Sequence, residues 1–112
     1  MTAFAADAGL SPERIVQLED IEAGLRGTIV IHSTLLGPAA GGCRFWRYDD
    51  DAAATADARR LAEGMSYKNA MAGLPLGGGK AVILADEKRT KTPELLAAFG
   101  RAVDGLCGRY VT

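Results

Sequence analysis

The sequence predicts an α/β domain: a mixed β-sheet flanked by helices. Three observations carry that expectation. RIVQLEDI (14–21) and RGTIVIHST (26–34) are rich in strand-forming, β-branched residues. Helix-like and strand-like stretches then alternate along the rest of the chain, as α/β architectures require. KAVILA (80–85) is an apolar run after its first residue, and a strand of that kind is covered on both faces.

The elements follow in order. In RIVQLEDI, Val16 and Leu18 share one face, and Gly24 suits the turn into the second strand. A short helix ahead of Ser11-Pro12 is a further expectation. GPAAGG (37–42) reads as a loop. CRFWRY after it reads as a third strand, in which Phe45 and Trp46 alternate so that one packs inward. Asp49, Asp50 and Asp51 supply acid where a helix start leaves N–H groups free, and that helix runs to about Ala72. KAVILA is the fourth strand. Thr92, Pro93 and Glu94 are a cap, a first-turn proline and a first-turn acid, opening a helix that ends near Gly108. Tyr110 to Thr112 begin another strand, so the chain stops while an element is starting and reads as a single domain, 1–112, of a longer protein.

Composition narrows the function. A chain of 112 residues is about one domain, large enough for a modest core. Thirteen basic residues against fourteen acidic ones are scattered rather than striped, which argues against nucleic acid as a partner. No apolar run approaches the roughly eighteen residues of a membrane helix. The start, MTAFAADAGLSPER, lacks the basic opening and apolar centre of a signal peptide. Cys43 and Cys107 have no CxxC spacing, and His32 is the lone histidine, so no metal site is expected. Two thiols suit a reducing cytosol, and both read as small buried residues. The expectation is a cytoplasmic protein.

The chemistry concentrates in GLPLGGGKAVIL (73–84), where three glycines run into Lys80. A phosphate loop fails on spacing: Leu74 stands at the first glycine position and Ala81 at the magnesium-binding hydroxyl. The dinucleotide pattern fails too, since Gly77 and Gly79 are followed by Val82. The order of elements is also wrong, because a helix precedes and a strand follows, whereas anions sit where a strand gives way to a helix. Lys80 then either faces water or sits half out of it, at the mouth of a covered strand beside a glycine loop. Burial disfavours the ammonium form, and such a lysine can transfer protons.

The preceding helix offers a second lysine. With about 100° per residue, Ala54, Ala58, Leu61, Met65, Lys68 and Ala72 fall on one stripe, and Arg59, Glu63, Ser66 and Ala70 lie opposite. Lys68 is therefore expected inside the apolar stripe, as a site residue or as a lysine snorkelling near a helix end. His32 reads as a packed strand residue. Arg44 reads as a brace for the GPAAGG loop or a surface ion pair, and Asn69 as a residue that orients the site or is structural.

GPAAGGCRFWRY, LAEGMSYKNAMAGLPLGGGKAVI and FGRAVDGLCGRYVT resemble the amino-terminal domain of the Glu/Leu/Phe/Val dehydrogenases, from about residue 14 to the end. The K-N-A-x(6)-G-G-G-K arrangement is long and specific. The resemblance implies an enzyme that uses NAD(P) to deaminate an L-amino acid to a 2-oxo acid and ammonium. It implies that Lys80 is the catalytic lysine handling the water that attacks the imino acid, and that Lys68 binds the substrate carboxylate. Gly41 and Gly42 match the glycine pair against the substrate, and Met65 matches a pocket-lining residue. Ala40 stands where glutamate-specific members have a lysine and leucine-type members a leucine. That implies an apolar substrate and leaves room for a bulky or aromatic one, closest to leucine and phenylalanine dehydrogenases.

The resemblance also implies what this chain lacks. The family's catalytic aspartate lies just past a stretch like Tyr110-Val111-Thr112, and its Rossmann domain would hold NAD, so no cofactor is expected on this fragment and it should be inactive alone. The family assembles through this domain, which implies a homo-oligomer through the N-terminal strands. The rival expectation is a non-catalytic ligand-binding or assembly module.

Overall fold

The structure, a computed structural model, describes residues 11–86 and 90–112. The helix expected ahead of Ser11 lies outside the described residues. The elements are β1 (Arg14–Asp20), β2 (Leu25–Ser33), β3 (Ala39–Ala40), β4 (Cys43–Trp46), α1 (Asp51–Met71), β5 (Gly77–Leu84), α2 (Pro93–Asp104) and β6 (Tyr110–Val111). The strands form one sheet in the order β1-β2-β5-β3-β6, and β4 pairs with β5 as well. β1 pairs antiparallel with β2 and β2 antiparallel with β5, while β3 and β4 run parallel to β5 and β6 runs parallel to β3. The α/β domain with a mixed sheet is what the sequence predicts.

Alternation along β2 and β5 divides the core between two helices. Val30, Val82 and Leu84 pack with Ala54, Ala58 and Ala62 of α1. Ile29, Ile31, Ala81 and Ile83 point the other way and pack with Leu95, Ala98 and Phe99 of α2. Leu18 and Val16 of β1 join this second cluster, as their shared face requires, and Phe45 packs against it while Trp46 is 55% exposed. β5 is covered on both faces, which explains why its sequence carries no alternating polar residue.

Local signals set the helix ends. The Asp50 carboxylate accepts from Ala53 N at 2.8 Å, and the Thr92 hydroxyl accepts from Leu95 N at 3.1 Å, caps worth about 1 kcal/mol each. Gly24 turns β1 into β2 at φ 75°. α2 stops at Asp104 rather than near Gly108: the chain tightens into three-residue turns, Leu106 N to Val103 O and Cys107 N to Asp104 O, before Cys107 at φ 55° and Gly108 at φ 82° leave the right-handed region.

Three expectations are corrected. Gly77, Gly78 and Gly79 belong to a buried strand and not to a loop, so Lys80 is the fourth residue of β5 and not its mouth. The buried ridge of α1 is Ala54, Ala58, Ala62, Ser66 and Asn69, rotated from the expected stripe, and this leaves Lys68 exposed and Ser66 buried. Small side chains form the ridge because α1 lies too close to β5 for large ones. An added Cβ on Gly78 would stand 2.2 Å from Ser66 N. Finally, Cys43 and Cys107 are exposed residues and not buried ones, the first on β4 with its sulfur partly desolvated by its surroundings and the second in the turn after α2.

Candidate active site

The site lies where one edge of β5 changes partner. Ala39 and Ala40 of β3 pair with Gly77 and Gly78, and Cys43 of β4 resumes the pairing at Ala81. Gly41 and Gly42 run in the same register past Gly79 and Lys80 without strand pairing, so the sheet is interrupted beside the lysine. Gly41 N still donates to Val111 O of β6 and Gly42 O accepts from Ala81 N of β5, so the Gly42 N–H is the group left without a strand partner among the described residues.

Close contacts require glycine here. An added Cβ would lie 1.7 Å from Gly79 O at Gly41, 1.8 Å from Ser33 O at Gly77, and 2.9 Å from the Tyr110 ring at Gly79. The three glycines of β5 therefore answer three neighbours: β2 at Gly77, α1 at Gly78 and β6 at Gly79.

The structure brings most of the expected residues together. Lys80 is half-buried on the α1 side of β5, and its Nζ lies 3.4 Å from where a Cβ on Gly42 would stand. The Met65 side chain reaches Gly41, its Cγ 3.2 Å from a Cβ built there. Lys68 follows Met65 by three residues and so shares its side of the helix, where it is exposed. Ala40 is half-buried immediately before the glycine pair. Surface hollows lined by Asp20, Glu94 and Arg101, or by Thr34, Cys107 and Arg109, include none of these residues.

Three buried polar side chains surround the site. Asn69 Nδ2 donates to Gly77 O at 2.7 Å and Ala40 O at 3.2 Å. The Tyr110 hydroxyl reaches Gly41 O at 2.9 Å and Gly42 O at 3.0 Å, and burial pushes its titration up to about 12, so it stays a donor. His32 stands at a register shift in β2, its Nδ1 2.7 Å from Ser66 Oγ. Nothing in the sequence alone gives Tyr110 a part in the site. The signal available there was a polar aromatic opening a short strand, and nothing local says which backbone it will meet. His32 is packed, as expected, and Asn69 touches the site directly.

Charge is arranged around the edge strand. Burial pushes the Cys43 thiol up to about 11, against the opposing pull of the Lys80 and Lys91 ammonium groups. Arg44 lies 4.8 Å from the Trp46 ring centre and 3.4 Å from Asp57, so it braces β4 against α1. The Tyr48 hydroxyl donates to Asp57 and, with Arg60, holds that carboxyl below its usual range. Among the described residues, no group of three His, Cys, Asp or Glu could hold a metal ion. No helix among them is long and apolar enough to cross a membrane.

The sheet is thus broken at a glycine pair beside a half-buried lysine, in an α/β domain with a mixed sheet. A sequence model of the Glu/Leu/Phe/Val dehydrogenase dimerisation domain matches residues 12–112, and the chain belongs to that family. It is 56% identical over 111 residues to valine dehydrogenase of Streptomyces albus, covering 99% of this chain and 30% of that protein. It is 54% identical over 100 residues to leucine dehydrogenase of Bacillus subtilis, covering 89% of this chain and 28% of that one. The crystal structure of L-tryptophan dehydrogenase from Nostoc punctiforme superposes with a TM-score of 0.83 at 41% identity, over 99% of this chain and 31% of that one. The chain thus spans about 30% of the length of the relatives it matches.

Proposed function

We propose that this chain is the substrate-binding and assembly domain of a longer, NAD-dependent L-amino acid dehydrogenase. The reaction is oxidative deamination of an apolar L-amino acid to a 2-oxo acid and ammonium. The observation that carries this reading is the Lys80 amine against Gly42 in the interruption of the sheet.

Each residue has a role in that chemistry. Lys68, exposed beside Met65, holds the substrate carboxylate. The Gly41–Gly42 backbone and Met65 border the reacting carbon. Lys80, half-buried on the α1 side of β5, moves the proton of the water that attacks the imino acid. Ala40 offers no charge for a second carboxylate, and burying one unpaired costs several kcal/mol.

The glycines of β5 do not fit a nicotinamide cofactor. They are closed against Ser33, Ser66 and Tyr110, and a helix precedes their strand. Residues outside this chain would hold NAD, so the domain alone is inactive. Assembly uses β1, whose outer edge has unpaired backbone groups among the described residues and carries the partly exposed Ile15. The protein is a cytoplasmic homo-oligomer in this reading.

The test is a rate comparison in the full-length enzyme with NAD on glutamate, valine, leucine and phenylalanine. Glutamate should trail the best apolar substrate by at least about a hundredfold, the equivalent of roughly 2.7 kcal/mol. A preference for glutamate overturns the role of Ala40, and binding without turnover of any amino acid leaves a non-catalytic module.

A further inference from the structure

Three consecutive carbonyls line the interruption, and two side chains hold all of them. Asn69 donates to Ala40 O from the helix on one face of the sheet, and the same amide reaches Gly77 O. Tyr110 reaches Gly41 O and Gly42 O from its place beside β3, with its ring lodged against Gly79 among the residues of the α2-side core. One phenolic proton is shared between two acceptors, while Gly42 O also accepts from Ala81 N at 3.1 Å. Gly41 O accepts from no other donor among the described residues, so it depends on Tyr110.

The ring contact and the hydroxyl contact do different things. A phenylalanine would fill the space over Gly79 equally well. The hydroxyl fixes the two glycine peptides, and in a trans peptide a fixed carbonyl also fixes the direction of the next residue's N–H. Anchoring Gly41 O therefore turns the Gly42 N–H away from Tyr110. Asn69 ties Ala40 to Gly77, on the strand that carries Lys80 three residues later. Together with the Ala81 N to Gly42 O bond, the two side chains set the spacing between the glycine backbone and the Lys80 strand.

We propose that Tyr110 and Asn69 are positioning residues that hold the Ala40–Gly42 backbone at its working distance from Lys80. The proposal rests on the function given above. Neither side chain need touch the substrate, and misplacing a reacting group by about 1 Å is enough to cost a hundredfold in rate.

The experiment is Tyr110→Phe in the full-length enzyme, with Asn69→Ala as a second variant, each beside wild type. Steady-state kinetics on the preferred apolar amino acid are combined with hydrogen exchange over residues 39–43. The expected result for Tyr110→Phe is a kcat at least tenfold lower with KM changed less than threefold, because Lys68 still holds the carboxylate. Exchange over 39–43 should quicken at least tenfold while the centre of β2 is unchanged. A kcat and KM within twofold of wild type overturns the proposal, as does unchanged exchange at 39–43. A variant that melts early yet keeps the kcat of wild type per folded molecule also overturns it, since the role would then be structural. Wild type inactive on every amino acid overturns the proposed function instead, and exchange at 39–43 still decides whether Tyr110 holds the segment.

Discussion

Replacing Gly78 by alanine tests how closely α1 rides on β5. The added methyl would stand 2.2 Å from Ser66 N, 2.2 Å from Ser66 Oγ and 2.5 Å from Ser66 Cα. Two of those atoms are backbone, so no side-chain rotation removes the clash. Carbon atoms settle at about 3.5–4.0 Å, so the helix has to retreat by about 1 Å or more. That movement opens the Ala54–Ala58–Ala62 seam against Val30 and Val82 and strains the His32–Ser66 hydrogen bond. Overpacking of this kind costs about 1–3 kcal/mol. Gly64→Ala is the matched control, on the exposed side of the same helix with nothing within 4 Å of its added Cβ. It should stabilise by about 0.5–1 kcal/mol, the difference between glycine and alanine inside a helix. Urea unfolding of both variants beside the parent gives the two free energies. Gly78→Ala within about 0.5 kcal/mol of the parent would refute the close approach, since surface-like tolerance is incompatible with it.

Two further predictions concern titration. With its thiol at about 11, Cys43 is about 0.1% thiolate at pH 8, against about a quarter for an ordinary cysteine. A higher-pKa thiolate is the stronger nucleophile, which offsets part of that deficit, so maleimide labelling of Cys43 should run about tenfold slower than that of a free thiol and speed up about tenfold per pH unit to pH 10. Labelling at the ordinary rate at pH 8 would contradict the burial of the sulfur. Asp57 is held below its usual range mainly by the Tyr48 hydroxyl, so its contribution is present above an ordinary carboxylate value and lost as pH falls through the lowered one. Tyr48→Phe should then destabilise at pH 7 and have a shrinking effect below about pH 4, as read by thermal unfolding. A penalty that is constant with pH would rule out that linkage.

The sequence made the strands and helix starts legible because their signals are local: β-branched density, Asp50 and Thr92 caps, and the proline at 93. It also pointed to Lys80, since an uninterrupted apolar strand makes its one charged residue conspicuous. The face of α1 was not legible. Periodicity weighted Leu61 and Met65 by hydrophobicity, while the packing selected alanines and Ser66 by size, because glycine on β5 let the helix approach. The glycines themselves misled for a related reason. Glycine signals a turn through its backbone freedom, yet at 77–79 it serves contacts with Ser33, Ser66 and Tyr110 that are remote in sequence. Tyr110 was silent for the same cause, since its partners Gly41 and Gly42 are 69 and 68 residues away.

The most direct test of the account is Lys80→Ala in the full-length enzyme, assayed for NAD-dependent deamination of its best apolar amino acid. The Nζ stands 3.4 Å from a Cβ built on Gly42, where a substrate held by that backbone would meet it. Removing a positioned proton-transfer group costs about a hundred- to ten-thousandfold in rate. The account predicts a loss in that range, with the variant folded and its melting temperature close to that of wild type. Turnover within tenfold of wild type would contradict it.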